Sequence, residues 1–277
     1  MRGGAGDGLG PLADTRHWLF DVEGTLVVDK SYAPLPGAAD AWRRLRERGD
    51  GLAILTNNTT HTRDELADRL AEAGFPVEPE RIVSGQGRLA AVLDEMGAGE
   101  AWLLGPPALR RTMEAAGVAV RELDEEPAAA GAAPRALVVG FLDAIDTARM
   151  GRAAELAARP EFRLLALHKS RLYRDGGRVV PGLGAWVAAI EHASGKQARV
   201  LGKPAPELFR EGARVLGAPT GAVCMVGDDP FADLAPARAV GMRTLFVLSG
   251  KYADAAVLDE LPCSSRPEFT LSSIAAL

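Results

Sequence analysis

Cysteine is scarce in this chain. Cys224 lies in an apolar run, Cys263 stands near the end, and no metal-binding spacing joins them. A disulfide framework is not built from such a pair, and two free thiols fit a reducing compartment. Excess positive charge is also missing: the formal net charge is −5 and no long basic run occurs, so there is no footprint for nucleic acid or an anionic membrane surface. No apolar stretch approaches a transmembrane span. Residues 1–16, MRGGAGDGLGPLADTR, lack the basic start and apolar middle of a secretory signal. They read as a flexible leader, and a cytoplasmic location is expected.

What remains is a globular composition of 277 residues, 47% apolar and 25% charged, long enough for one large α/β domain or a core with an inserted one. Strand-like apolar runs fall at 17–22, 52–56, 198–202, 222–227 and 243–248, separated by segments of helical period. That alternation predicts a Rossmann-like parallel sheet with helices on both faces. Ala38, Trp42 and Leu45 mark one helix face before a Gly49 stop. Thr62 and Glu65 have capping-box spacing ahead of Leu66, Leu70, Ala73 and Gly74. The middle has its own strand candidates at 101–105, 136–140 and 163–167, with helical patterns at 107–117 and 147–159 and a loop-like EEPAAAGAAP at 125–134. The expected division is therefore a core of 17–83 and 181–277, with an α/β cap inserted at 84–180.

Four stretches could carry chemistry. FDVEGTL, 20–26, places Asp21 at the end of the first run, where ligands bind in parallel sheets, with Glu23 two positions on and Gly24 free to turn sharply. In isolation both acids could be solvated turn residues. LTNNTT, 55–60, offers the Thr56 hydroxyl and the Asn57 and Asn58 amides to phosphate oxygens before a helix N-terminus, although such residues also cap helices. LGKPAPELF, 201–209, supplies Lys203, an ammonium able to neutralise bound phosphate. MVGDDPFAD, 225–233, brings Asp228, Asp229 and Asp233 after another run. Carboxylates clustered near Asp21 repel one another unless a hard cation such as Mg²⁺ sits among them. In the order acid pair, hydroxyl, lysine, acid cluster, each at a predicted strand end, the four point to catalysis together.

On these motifs the chain resembles the haloacid dehalogenase-like superfamily of phosphatases across nearly all of 17–270. A large α/β cap between the Thr56 and Lys203 motifs resembles the branch with phosphoglycolate, pyridoxal phosphate and nucleotide phosphatases. The stretch 164–204 and SGKY at 249–252 look most like phospholysine phosphohistidine inorganic pyrophosphate phosphatase. The resemblance implies that Asp21 attacks phosphorus to form an aspartyl-phosphate, with Mg²⁺ held by Asp21, the Glu23 carbonyl and Asp228. It implies that Asp233 orients metal-bound water or Lys203, that Thr56 and Asn57 bind the transferring oxygens, and that Lys203 stabilises the developing charge. A small phosphorylated metabolite as substrate, with no nucleic-acid or membrane partner, and a homodimer through the cap are further expectations.

Glu23 departs from the family, which mostly has Asp there as the acid that protonates the leaving group and then activates water. A D-x-E-G-T motif does occur in enolase-phosphatases of the superfamily, under a different cap. Three readings stay open: an acid–base catalyst in a site that accepts its length, an impaired acid in a slow or non-catalytic phospho-ligand binder, or a structural residue in a protein passing phosphate to an acceptor other than water. A second enzyme reading, dehalogenation or phosphonate cleavage, is disfavoured, because dehalogenases need neither the metal-binding acid cluster nor an acid at position 23. From the cap, His168, Lys169, Arg171 and Tyr173 form a polar, partly cationic group suited to an anionic or aromatic substrate, and His61 beside the amide loop is a further candidate contact.

Overall fold

The computed structural model describes residues 12–128, 134–175 and 178–277. Most of the expected leader, and 129–133 of the expected cap loop, lie outside them. Residues 12–16, which the leader was expected to include, are packed: Leu12 and Thr15 are buried, and the Thr15 carbonyl accepts from Arg48 Nη2 at 2.7 Å.

In chain order the elements begin with β1 (His17–Phe20), α1 (Ala38–Glu47), β2 (Gly51–Thr56), α2 (Arg63–Glu72), β3 (Ile82–Ser84) and α3 (Gly85–Glu95). Then come β4 (Glu100–Leu104), α4 (Pro107–Ala115), β5 (Ala119–Arg121), β6 (Arg135–Val139), α5 (Thr147–Ala158) and β7 (Phe162–Ala166). The hairpin β8 (Leu172–Asp175) and β9 (Arg178–Pro181) leads to α6 (Leu183–Ser194), β10 (Arg199–Val200), α7 (Pro206–Val215) and β11 (Val223–Gly227). Last are α8 (Ala235–Ala239), β12 (Arg243–Val247) and β13 (Phe269–Leu271).

Six strands form a parallel sheet in the order β13-β12-β11-β1-β2-β3. Because side chains alternate along a strand, each run feeds two cores. Trp18, Phe20, Ile54, Val226 and Val247 pack on one face, with Trp42 and Leu45 of α1 and Leu66 and Leu70 of α2. Leu19, Ala53, Leu55, Met225 and Phe246 pack on the other, with Leu208 and Phe209 of α7. Burial on both faces explains why the runs are continuously apolar rather than alternating. Local signals act as expected: Thr62 and Glu65 close a capping box, while Gly49 and Gly74 take φ of 81° and 93° just beyond α1 and α2.

A second parallel sheet, β10-β7-β6-β4-β5, has its own core of Trp102, Leu137, Val138, Leu156, Phe162 and neighbours. The run at 198–202 was expected in the first sheet. Its ordered part, β10, instead pairs with β7, Val200 opposite Ala166, and Leu183, Val187 and Ile190 of α6 pack in this second core. A short apolar run cannot declare which sheet it joins. Here α6 precedes it and carries it back over β7, so the stretch 183–201, beyond the expected boundary at 181, packs with the second sheet.

The two sheets face each other across the carboxyl edge of the first. In that sheet β1 lies between β2, reached through α1, and β11, reached after the second sheet, so the strand order reverses beside β1. That is where an open α/β sheet has its crevice.

Candidate active site

Asp21 leaves β1 at the crevice, its N–H bonded to the Val226 carbonyl of β11 at 2.9 Å. Lys203 Nζ reaches its Oδ1 at 2.6 Å and Asp233 Oδ1 at 2.7 Å. All three residues are at most 5% exposed. Burial alone would push the Lys203 ammonium down, but Asp21 and Asp233 outweigh it and hold the pKa above the ordinary lysine value. The lysine is therefore a fixed cation between two carboxylates. Asp233 arrives there because 230–234 form a π-helical turn, capped by Asp229 Oδ1 accepting from the Phe231 and Ala232 N–H groups.

Asp228 closes the cluster from β11, and oxygens of Asp21, Asp228 and Asp233 lie within 4.8 Å of one another. Its Oδ2 accepts the Lys251 backbone N–H at 2.6 Å. Two glycines cradle that oxygen: a Cβ at Gly24 would sit 2.1 Å from it and one at Gly250 1.9 Å. Its Oδ1 is buried with no hydrogen-bond partner. Desolvation first, then the charges of Asp21 and Asp229, push Asp228 up to about 7 against the pull of Lys251. Four carboxylates, counting Asp229, thus face two ammonium groups, Lys203 and Lys251, the latter 3.0 Å from Asp229 Oδ2. An orphaned carboxylate oxygen among hard oxygen donors with excess negative charge fits a divalent cation of the Mg²⁺ type.

Glu23 lines the same cavity, half-buried, and accepts from Asn58 Nδ2 at 3.3 Å. Desolvation, then the Asp21 charge, raises its pKa above the usual carboxylate range. Thr56 ends β2 fully buried, its Oγ1 accepting from the Asn58 N–H at 3.0 Å. Asn57 sits differently from the expected phosphate contact. Its Oδ1 accepts the Lys203 N–H at 2.8 Å, and its Nδ2 donates to the Lys203 carbonyl at 3.2 Å and to Ser170 Oγ at 3.1 Å. The amide is used up in holding the lysine's backbone, next to the cis peptide bond between Lys203 and Pro204.

The second sheet contributes a roof. His168, Ser170, Leu172, Tyr173 and Arg174 line the cavity, with Phe141 beside them. Burial first, then Lys251 and Lys203, pushes His168 down to about 3, so the ring is neutral. Its Nδ1 accepts the Ser170 N–H at 3.3 Å, which leaves the proton on Nε2. Lys169 and Arg171, grouped with it in sequence, point elsewhere. Lys169 pairs with Glu191 of α6 at 2.8 Å, and Arg171 with Glu260 at 3.2 Å while lying over the Phe231 ring. His168 and Lys169 lie in the irregular segment between β7 and β8, where the direction of each side chain follows from the local turn, so composition could not separate them.

Sequence reasoning left Lys251 and Lys30 without roles. Lys251 had one signal, a lysine after a glycine just past the β12 run. Lys30 had none: its Nζ lies 4.4 Å from the Phe141 ring centre and 4.7 Å from that of Tyr173, and bonds Asp143. That contact, with Arg174 donating to the Lys251 carbonyl at 2.8 Å, ties the roof to the first sheet.

Comparison with known proteins places the chain in a family. Residues 18–119 match the family model described as haloacid dehalogenase-like hydrolase, and 200–277 match a second, HAD-hydrolase-like model. A glycerol-3-phosphate phosphatase of Homo sapiens is 32% identical over 294 residues, covering 96% of this chain and 91% of its own. A chronophin of Bos taurus is 33% identical over 246 residues, covering 84% and 80%. The glycerol phosphate phosphatase of Mycobacterium tuberculosis, solved in complex with magnesium, matches with a TM-score of 0.76 at 25% identity, covering 95% of this chain and 76% of that one. Among the described residues no helix is long and apolar enough to cross a membrane. With both models on the segments that carry the acid cluster and relatives above 30% identity along nearly its whole length, the chain belongs to the haloacid dehalogenase-like hydrolases and is a phosphatase of that family.

Proposed function

We propose that the protein hydrolyses small phosphate monoesters in two steps through a phosphoaspartyl intermediate on Asp21. The observation that carries this is the Asp21–Lys203–Asp233 triad beside the unpartnered Asp228 Oδ1. An Asp21 carboxylate oxygen bonds to phosphorus as the bond to the leaving oxygen breaks, and Glu23 gives that oxygen its proton. Glu23, now a carboxylate, takes a proton from water as the water oxygen attacks phosphorus, which frees phosphate and restores Asp21. Lys203 offsets the charge that brings a carboxylate to a dianion, and the Thr56 hydroxyl keeps its own hydrogen for a phosphoryl oxygen.

Asp21, Asp228 and the Glu23 carbonyl would hold Mg²⁺, with Asp233 beside them. The ion supplies Lewis-acid neutralisation of the phosphoryl oxygens when bound. Asn57 acts through Lys203 in this reading, and Lys169 takes no part. The second sheet, with α3 to α6 and the β8–β9 hairpin, serves as the cap. His168, Tyr173 and Phe141 are its contacts to the leaving group.

Metal dependence is the direct test. Phosphate release from alkyl and aryl monoesters is expected to fall at least ~100-fold on chelation and to return with Mg²⁺, the scale of losing a principal electrostatic group. Saturating Mg²⁺ is also expected to raise the melting temperature, because it binds the folded acid cluster and not the open chain. Full activity after chelation overturns the metal's place in this reading.

A further inference from the structure

Glu23 is one methylene longer than the aspartate usual at its position, and its carboxyl is held by Asn58, which is in turn bonded to Tyr32. Asn58 Nδ2 donates one hydrogen to Glu23 Oε1 at 3.3 Å and the other to Tyr32 Oη at 3.0 Å. Its Oδ1 accepts from the Thr60 and His61 N–H groups, both at 3.1 Å. Those two bonds fix which end of the amide faces the acid, since only the amino group remains. Tyr32 is buried, with its ring edge-on to His61 at 5.5 Å and under the Arg69 guanidinium at 5.5 Å. Its hydroxyl lies 3.4 Å from His61 Nδ1.

Tyr32 is also the one non-glycine residue with positive φ among the described residues, at 60°. A bulky side chain in the left-handed region is strained and persists only where the surroundings over-determine it. Here the turn carries the phenol back under the loop that follows β2, where it meets Asn58.

We propose that Asn58 and Tyr32 are positioning residues that hold the longer Glu23 side chain in the one orientation from which it reaches the leaving oxygen. The inference rests on the acid–base role proposed above for Glu23. An extra rotatable bond multiplies the orientations of a carboxyl group, and proton transfer needs hydrogen-bond reach before anything else. An amide N–H on Oε1 makes that oxygen an acceptor, so in the acid form the proton sits on Oε2 and is the one passed to the leaving oxygen.

Leaving-group dependence separates positioning from mere structure. The value of kcat/KM reports steps through phosphoaspartate formation, in which an alkoxide needs the acid's proton and a nitrophenolate scarcely does. In the full-length protein with Mg²⁺, Glu23→Gln is expected to lower kcat/KM for an alkyl phosphate at least ~100-fold, within the usual range for acid–base catalysis, and for 4-nitrophenyl phosphate less than ~10-fold. Asn58→Asp keeps the acceptor oxygen of the loop, and Tyr32→Phe keeps the ring. Each is expected to reproduce this bias, at least ~10-fold more loss on the alkyl ester, and to add no further bias on top of Glu23→Gln. Equal losses on both esters, while Glu23→Gln discriminates, overturn the positioning roles and leave the acid standing. No discrimination by Glu23→Gln overturns the acid itself and the positioning with it.

Discussion

Asp21→Asn is expected to lower kcat for phosphate monoesters at least ~10⁴-fold while leaving the protein folded. Loss of a covalent nucleophile removes the two-step route and not merely one interaction with it, and nucleophile deletions in hydrolases fall in this range. The amide has the volume of the carboxyl group, and its oxygen can still accept from Lys203 Nζ, 2.6 Å away. Removing one charge also relieves repulsion with Asp228 and Asp233, whose carboxyl oxygens lie within 4.8 Å. The melting temperature should therefore hold or rise. Acid quenching of the wild-type enzyme turning over a phosphorus-labelled ester should leave label on protein, and the variant should retain none. A variant that keeps a tenth of the activity is incompatible with a nucleophile at 21.

Lys203→Met is expected to lose activity and stability together. It deletes the cation that lies 2.6 Å from Asp21 and 2.7 Å from Asp233, and leaves both carboxylates buried without it. Breaking a buried pair from one side costs about 3–5 kcal/mol, since the remaining charge stays desolvated. Part of that is recovered by proton uptake on Asp233, which burial already pushes well above the usual aspartate range. A fall of about 10 °C in the melting temperature follows from the usual scaling for a chain of this size. Mg²⁺ should restore some of it. Turnover should drop roughly 10³-fold, as for loss of a principal electrostatic contact. An unchanged melting temperature would mean that the ammonium's desolvation had cancelled its two contacts.

The two variants bear on one cluster, and that cluster was largely legible in the sequence. Asp21 and Asp228 each follow a run buried in the first sheet, β1 and β11, and a parallel sheet brings such ends to one edge. Strand direction was enough to gather those two carboxylates, whereas Lys203 reaches Asp21, 182 positions away, from the end of β10 in the second sheet. What direction does not encode is where a side chain turns after its strand ends. Asn57 and Asn58 were indistinguishable as amides, yet one grips the Lys203 backbone and the other Glu23. Lys169 follows His168 directly and faces Glu191. Tyr32 and Lys30 lie in a loop with no periodicity, so their partners depend on a turn conformation that composition does not specify. The affiliation of β10 escaped for a different reason: a two-residue strand carries too little pattern to name its neighbour.

The cradle around Asp228 Oδ2 has a consequence for how the sequence can drift. Gly24 and Gly250 contribute no functional atom, but any side chain at either would begin 2.1 or 1.9 Å from that oxygen. Substitution there displaces the Asp228 carboxylate from the position its Lys251 N–H defines. Mutational tolerance at these two glycines is thus as narrow as at the nucleophile. What constrains them is the room the Asp228 carboxylate takes where a Cβ would lie.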